Sequence, residues 1–180
     1  VQEATIPRAR RHSSRHPVDR FIQSALREQG LSQAPRADQR TLFRRLSFTL
    51  TGLPPRQAEL RSFLEDPSPD AWDHAIDRFL SSDHFGEHWA RHWMDVVRYT
   101  DTYGYERDNP AKGSWEYRDY LIRAYNGDVG FDQLIREQIA GDELVDWRNA
   151  ESYTPEMLDL LTATGYLRGC LLYTSDAADE

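Results

Sequence analysis

The segment 84–106 carries four polar side chains at helical spacing: His88, His92, Asp95 and Tyr99. They are four, three and four residues apart, and residues at these offsets are neighbours on the surface of an α-helix. Two imidazoles four residues apart can bind one metal ion from a single helix, and a carboxylate one turn further on can add a ligand. We name these four residues the polar seam. Its spacing allows a metal site at His88, His92 and Asp95.

A second interpretation of the polar seam needs no metal. The zinc-protease pattern places a Glu general base directly after the first His, and that position is Trp89 here. His92 and Asp95 would instead hydrogen-bond to each other, or to nearby backbone, at the rim of the core. The sequence favours this structural role, and we therefore predict no bound metal.

Acidic and basic side chains cluster around the loop that follows this segment. Such a cluster can bind a polar ligand or supply an acid/base pair. Ordinary ion pairs between two helices and their loop produce the same pattern and are more common. The candidate catalytic residues are His92, Asp95, Asp101 and Arg118. The residues expected to line a surface for a partner or ligand are Arg98, Tyr99, Glu106, Trp115 and Asp119.

A helix rich in tryptophan must position these groups. On a helical wheel, one face of the segment is apolar and aromatic, and it carries Phe85, Trp89, Trp93, Val96, Thr100 and Tyr103. Ser82 or Asp83 can cap the N-terminus of this helix. We predict that the helix lies at the centre of the fold, with Trp89 and Trp93 packed into the core.

The rest of the chain predicts further helices. Apolar residues recur at intervals of three and four between start and stop signals. The starts are indicated at Pro17, Asp38, Pro69, Ser114 and Pro155, and the ends at Gly30, Gly52, Gly127 and Gly141. No stretch alternates polar and apolar residues over the length of a strand. The sequence therefore predicts an all-α fold, a single helical domain of seven or eight helices with short loops.

Composition argues against several functional classes. The chain has 180 residues and a formal net charge of −8, which disfavours a general nucleic-acid-binding protein. No apolar run reaches membrane-spanning length. The one cysteine, Cys170, is not part of a CxxCH haem-attachment motif, so we expect no cofactor in this domain. The sequence also lacks a nucleophile elbow, a phosphate-binding glycine loop and a dinucleotide fingerprint.

The two ends of the chain differ from its middle. Residues 1–15 are basic and lack hydrophobic periodicity, which favours an interdomain linker over a basic arm for an anionic partner. The segment 170–180, CLLYTSDAADE, resembles the translation of a sequencing adapter, and we interpret it as a non-native tail. The helical domain is then predicted to cover residues 16–169.

Five segments of the chain resemble a known family in their order and spacing. They are HPVDRFI, RRLSFTLTGLPP, DHFGEHWARHWMDVVRYTDTYGYE, WEYRDYLIRAYN and FDQLIREQIAGDEL. Together they resemble a domain of unknown function, numbered fifteen forty-nine, which is the second module of planctomycete cytochrome proteins. The resemblance implies a large exported protein of the periplasm or cell envelope, with a c-type cytochrome module upstream and a second domain of unknown function downstream. Haem c and the partner surfaces would then belong to adjacent domains, and the domain would be truncated at its C-terminus.

The family's motif positions carry over to three parts of the chain. They are Trp89, Arg91, His92, Trp93, Asp95, Arg98, Tyr99, Asp101 and Gly104, then Trp115, Tyr117, Arg118 and Asp119, and finally Gly141 and Asp142. The family usually has Arg at the position of His88. Because a cation would not replace a metal ligand, the resemblance weakens the two-histidine metal site.

Three functional hypotheses remain open. The first is a scaffold or partner-docking module without catalytic residues of its own. The second is half of an enzyme active site, in which His92, Asp95, Asp101 and Arg118 line a cleft that a downstream domain completes. That half-site would perform hydrolytic or redox chemistry on a polysaccharide. The third is a surface that contacts the haem of another module. Whether the domain is an enzyme is left undecided by the sequence.

Overall fold

The computed structural model describes residues 5–8, 16–102, 109–165 and 167. This part of the chain forms eight α-helices and one 3₁₀ turn and contains no strand, although Thr102 and Pro110 form an isolated β-bridge. The predicted all-α fold is confirmed. Among the described residues, no helix is both long enough and apolar enough to span a membrane. The elements are α1 (Pro17–Glu28), α2 (Gln39–Thr51), α3 (Gln57–Glu65), α4 (Ala71–Leu80), α5 (Asp83–Val96), α6 (Ser114–Asn126), α7 (Phe131–Ala140), the 3₁₀ turn (Gly141–Glu143) and α8 (Pro155–Ala163).

The chain divides into two compact units, Val1–Asp38 and Gln39–Glu180. The first unit contains α1, which is followed by a residue in the left-handed backbone conformation. Gly30 has φ 69°, and the Leu31 N–H donates to the Leu26 carbonyl at 2.8 Å, as in a Schellman motif. Every candidate site residue that the structure describes belongs to the second unit, which contains α2 to α8.

Helices α2, α3 and α4 enclose an aromatic cluster. Phe43 of α2 is fully buried, and its ring centroid lies 4.6 Å from that of Phe63 and 5.3 Å from that of Phe79. Two polar residues of α2, Ser47 and Thr51, are also buried, and their hydroxyls donate to backbone carbonyls at 2.7 and 2.8 Å. Burial of these hydroxyls is tolerated because each has a hydrogen-bond partner. The cluster holds α2 against α3 and α4.

Helices α5 and α6 approach each other closely at Gly86. A Cβ atom on Gly86 would lie only 2.4 Å from the Ile122 carbonyl oxygen, so the backbones are in contact here. The Gly86 N–H donates to the Asn126 side-chain oxygen at 2.7 Å, and the Asn126 amide donates to the Asp83 carbonyl at 3.1 Å. Asn126 therefore satisfies both a donor and an acceptor at the start of α5. One turn further on, Ala90 is fully buried in the same interface.

Helix α5 has the predicted central position, because it contacts both α2 and α6. Trp89 and Trp93 are partly buried, and Trp93 packs against the core formed by α6 and α7. The predicted packing into the core is therefore confirmed for Trp93. Trp89 is partly buried, and its ring contacts Phe85, His88 and His92.

The predicted length of this helix is wrong. Helix α5 ends at Val96, which is 72% exposed and does not belong to the apolar face assigned to it. Arg98 follows with a left-handed φ of 55°, and the Tyr99 N–H donates to the Met94 carbonyl at 2.9 Å. This is a Schellman motif with Arg in the position that Gly usually occupies. Thr100 is consequently exposed and not helical, and Tyr103 lies outside the described residues.

Candidate functional site

The two histidines of the polar seam lie against α2. A Cβ atom on Gly52, which ends α2 with φ 70°, would lie 2.5 Å from Nδ1 of His88. The His88 and His92 ring centroids are 5.2 Å apart, with the rings nearly perpendicular. Burial, followed by the charges of His92 and Arg91, lowers the pKa of His88 below its usual value. His88 is thus held as a neutral packing residue at the α2–α5 contact.

The polar seam does not form the continuous line of groups that its spacing predicts. His92 contacts the rings of His88 and Trp89, with a Trp89–His92 centroid distance of 5.3 Å. His92 and Asp95 are both exposed, and no hydrogen bond joins them in the part of the chain that the structure describes. Of the two predicted arrangements, the bond between His92 and Asp95 is therefore not formed there. Bonds from these two side chains to nearby backbone are not seen among the described residues either. The physical reason is that the His92 ring packs on its aromatic neighbours. Within the described ranges, no group of three or more His, Cys, Asp or Glu side chains could hold a metal ion.

Four other residues do come together, beyond the end of α5. Tyr99 donates its hydroxyl to Oδ1 of Asp101 at 2.5 Å. Arg118, on α6, donates from Nε and Nη2 to Oδ1 of Asp119, both at 3.1 Å. Asp101 also acts electrostatically on Arg118, so the two pairs are electrostatic neighbours. We name Tyr99, Asp101, Arg118 and Asp119 the Tyr99 cluster.

The environment of the Tyr99 cluster fixes its protonation state. Burial, followed by the hydrogen bond to Asp101, raises the pKa of Tyr99 to about 12. The bond to Asp119 is the main cause that raises the pKa of Arg118 above its ordinary value. At neutral pH, the cluster therefore presents a protonated phenol, a guanidinium and two carboxyl groups.

A buried hydrogen-bond network around Gln138 holds the tyrosine, Tyr117, on which the Tyr99 ring stacks. Gln138 of α7 is only 2% exposed, and its Oε1 accepts from Trp93 Nε1 at 2.9 Å and from the Tyr117 hydroxyl at 2.6 Å. The Gln138 amide donates in turn to the Leu134 carbonyl at 3.2 Å. The Tyr117 ring stacks on Tyr99, with centroids 6.1 Å apart and an interplanar angle of 27°. Helices α5, α6 and α7 thus jointly set the position of the Tyr99 ring.

The loop beside the cluster has both of its ends fixed. Thr102 and Pro110 form the isolated β-bridge, and the Ala111 N–H donates to the Asp101 carbonyl at 2.8 Å. Residues 103–108 lie outside the described part of the chain. The predicted surface residue Glu106 is among them.

The remaining predicted surface residues flank the Tyr99 cluster. Trp115 lies one turn before Arg118 on α6 and is 52% exposed. Arg98 directly precedes Tyr99 and adopts the left-handed conformation described above. Of the four candidate catalytic residues, Asp101 and Arg118 therefore lie within electrostatic range of each other. The structure places His92 and Asp95 on α5, where His92 packs against other rings.

The structure also contains a cleft between α6, α7 and α8, which the sequence did not indicate. The cleft has a volume of about 570 Å³, and its polar lining includes Tyr120, Arg123, Glu137 and Asp159. The Tyr120 hydroxyl donates to Oε2 of Glu137 at 2.6 Å. Burial, and then this bond, raises the pKa of Tyr120 far above its ordinary value. The available sequence signal was Tyr120 and Arg123 three residues apart on one helix face, but it does not show that α7 and α8 complete a cavity there.

Comparison with known proteins yields one match. The family model described as "PSCyt2: Protein of unknown function (DUF1549)" matches residues 17–179. No curated protein shows significant similarity to the chain, and neither does any solved structure.

Proposed function

The chain belongs to the PSCyt2 family, described as a protein of unknown function (DUF1549), and from this premise we propose that it is a partner-docking module. Its partner would be an adjacent domain of the same polypeptide, in an exported protein that also contains a c-type cytochrome. Haem c would be held by that neighbouring cytochrome module. The docking face would be the Tyr99 cluster together with Trp115.

The observation that carries this proposal is a rigid polar cluster beside an exposed aromatic side chain. Trp115 is 52% exposed, and Arg118 and Asp119 follow it on the next turn of α6. Tryptophan, tyrosine and arginine are the residue types that contribute most to binding energy at protein interfaces. Trp115 thus places an exposed aromatic side chain on the same face of α6 as Arg118 and Asp119.

The support beneath the cluster makes it suitable for docking. The Tyr99 ring is held by stacking on Tyr117, which is itself bonded to buried Gln138. A surface fixed in advance loses little conformational entropy when a partner binds.

A second candidate function, half of an enzyme site, is favoured by one specific contact. The short Tyr99–Asp101 hydrogen bond lies next to the guanidinium of Arg118, and such a group can act as an acid/base pair with an electrostatic stabiliser. The site would be completed by the downstream domain and would act on a polysaccharide by hydrolytic or redox chemistry. Asp101 and Arg118 remain its candidate catalytic residues.

A binding measurement with a matched control tests the docking proposal. The 180-residue chain is titrated calorimetrically with the separately expressed downstream domain. Trp115→Ala should weaken binding by about 2 kcal/mol, roughly thirtyfold in Kd, because it removes an interface aromatic. Tyr153→Ala is the control, since Tyr153 is equally exposed at 52% but precedes α8 and lies outside the docking face. Equal Kd values for the two variants, or no binding of the wild type, would refute the proposal.

The same pair of proteins separates docking from catalysis. If the domain is half of an enzyme, Asp101→Asn should abolish polysaccharide turnover by the combined domains while Kd changes little. If the domain only docks, the variant should change Kd, and no turnover should depend on Asp101.

A further inference from the structure

The cleft between α6, α7 and α8 has the size and lining of a small-molecule site. Its volume of about 570 Å³ lies within the range of roughly 300–1,000 Å³ that such sites occupy. It is separate from the Tyr99 cluster, because none of the four residues of that cluster lines it. The proposed docking function therefore makes no use of this cleft.

One wall of the cleft is a chain of hydrogen bonds along α7. Arg136 Nη1 donates to Oε1 of Gln133 at 3.1 Å, and Gln133 Nε2 donates to Oε1 of Glu137 at 2.9 Å. Tyr120 donates to the other carboxylate oxygen of Glu137. Each carboxylate oxygen thus accepts one bond and has a second lone pair available, and Arg136 has unused donors.

The opposite wall joins α6 to α8 by an ion pair. Arg123 donates from Nη2 to Oδ1 of Asp159, and its Nε lies 3.5 Å from Oδ2. The two charges compensate each other, so a charged ligand would have to compete with a pair already formed. Both side chains nevertheless keep hydrogen-bonding capacity, because a guanidinium has five donors and a carboxylate about four acceptor sites.

The lining also contains apolar side chains, among them Ala124, Val129 and Leu160. The lining offers donors and acceptors close together, and its charges nearly cancel. The two positive side chains, Arg123 and Arg136, face three negative ones, Glu137, Glu156 and Asp159, and the one negative charge in excess disfavours an anionic ligand. A ligand that matches this lining has groups that donate and accept at once, and an apolar face. Sugars have both, because each hydroxyl does both and the ring C–H groups form the face.

We propose that this cleft binds a neutral polyhydroxylated ligand of the size of one or two sugar residues. Ligand hydroxyls would bind to the Glu137 carboxylate and to Arg123, Asp159 and Glu156. Ring C–H groups would lie on the apolar side chains of the lining.

The test is saturation-transfer NMR on the full 180-residue chain with a panel of saccharides. The neutral probes are the methyl glycosides of the common hexoses and pentoses and their disaccharides. The charged comparators are glucuronate, glucosamine and glycine. We expect at least one neutral saccharide to bind with a millimolar or lower Kd, and the charged comparators to bind more weakly than it does.

Three variants place the binding in the cleft. Glu137→Gln and Glu156→Gln each change a carboxylate of the lining, and each should weaken saccharide binding at least tenfold. Glu151→Gln is the control, because Glu151 is exposed and lies outside the cleft lining. Glu156 is exposed in the first turn of α8, so its variant tests the cleft even if loss of the Tyr120 bond prevents Glu137→Gln from folding.

The proposal would be overturned by any of three results. The first is that no neutral saccharide binds. The second is that a charged comparator binds while the neutral saccharides do not. The third is that Glu156→Gln leaves saccharide binding unchanged. None of these results would affect the docking proposal, which rests on Trp115 and the Tyr99 cluster.

Discussion

A single methyl group added at Gly86 tests the central helix contact of this protein. Alanine normally stabilises a helix interior by about 1 kcal/mol relative to glycine. At Gly86 the new Cβ would lie 2.4 Å from the Ile122 carbonyl oxygen and 2.6 Å from the side-chain atoms of Asn126. Real Cβ atoms do not approach backbone oxygens so closely, so α5 and α6 would have to move apart.

The size of the effect follows from three contributions. Overpacking of a closely packed interface costs about 1–3 kcal/mol, and here it falls on backbone that cannot rotate away. The Gly86–Asn126 hydrogen bond, 2.7 Å long, would stretch, and its loss costs about 1 kcal/mol or more because the N–H is partly buried. Subtracting the gain in helix propensity leaves a net destabilisation of about 1–3 kcal/mol for Gly86→Ala.

The assay is equilibrium unfolding in urea, monitored by the circular dichroism of the helices. In a thermal scan of the same variant, a loss of this size would lower Tm by roughly 2–12 °C in a chain of this length. Gly165→Ala is the matched control, since its Cβ would lie 3.5 Å from the Tyr117 side chain, which is ordinary van der Waals contact. This control variant should be as stable as the wild type, or more stable by up to about 1 kcal/mol.

Two outcomes would show that the reasoning is wrong. If Gly86→Ala is as stable as Gly165→Ala, then α5 and α6 do not approach as closely as described. If both variants lose the same stability, the cost arises from the unfolded chain or from a general intolerance of alanine, and not from the Ile122 carbonyl.

Two further perturbations address the buried network and the imidazole pair. Gln138→Leu should lower the free energy of unfolding in urea by about 2–4 kcal/mol, because the Trp93 and Tyr117 donors would both lose their shared acceptor. A loss below about 1 kcal/mol would show that a water molecule replaces the Gln138 oxygen as their acceptor. The pKa of His88 is lowered in the folded protein, so the unfolded chain, with a His pKa of about 6.5, binds more protons at mildly acidic pH. The free energy of unfolding should therefore fall as the pH drops below about 6.5. His88→Gln should remove part of this dependence when the urea unfolding midpoints at about pH 7.5 and pH 5.5 are compared. If the variant shows the same pH dependence as the wild type, His88 is not its source.

The helices could be predicted because their signals are local. Pro17 and Pro155 start helices, and Gly30 and Gly52 end them, because proline suits the first helical position and glycine adopts positive φ without strain. The apolar periodicity between such positions depends only on residues a few places apart. This periodicity predicts the helices, and it predicts that the Trp89 and Trp93 side chains lie on a buried side of α5.

The candidate site could be predicted only in part, because its contacts are not local. Asp101 and Arg118 are joined by one loop, so their proximity follows from the chain itself. The cleft requires Arg123 of α6 and Asp159 of α8 to meet across 36 positions of sequence, and no local pattern indicates such a pairing. The prediction of a continuous polar seam was wrong for another reason. Tyr99 has the spacing of a helical neighbour of Asp95, but α5 ends at Val96, before Tyr99.

The end of α5 explains both the failed prediction and the site that replaces it. Had the helix continued from Asp95, Tyr99 would lie about 6 Å further along the same face. Arg98 instead adopts a left-handed conformation, at a cost of about 1–2 kcal/mol for a residue other than glycine. Stacking of Tyr99 on Tyr117 contributes about 0.5–1.5 kcal/mol, and its bond to the Asp101 carboxylate, weakened by solvent exposure, contributes further. These two contacts are of the size needed to offset the strain, so the turn that breaks the polar seam is stabilised by the cluster it creates.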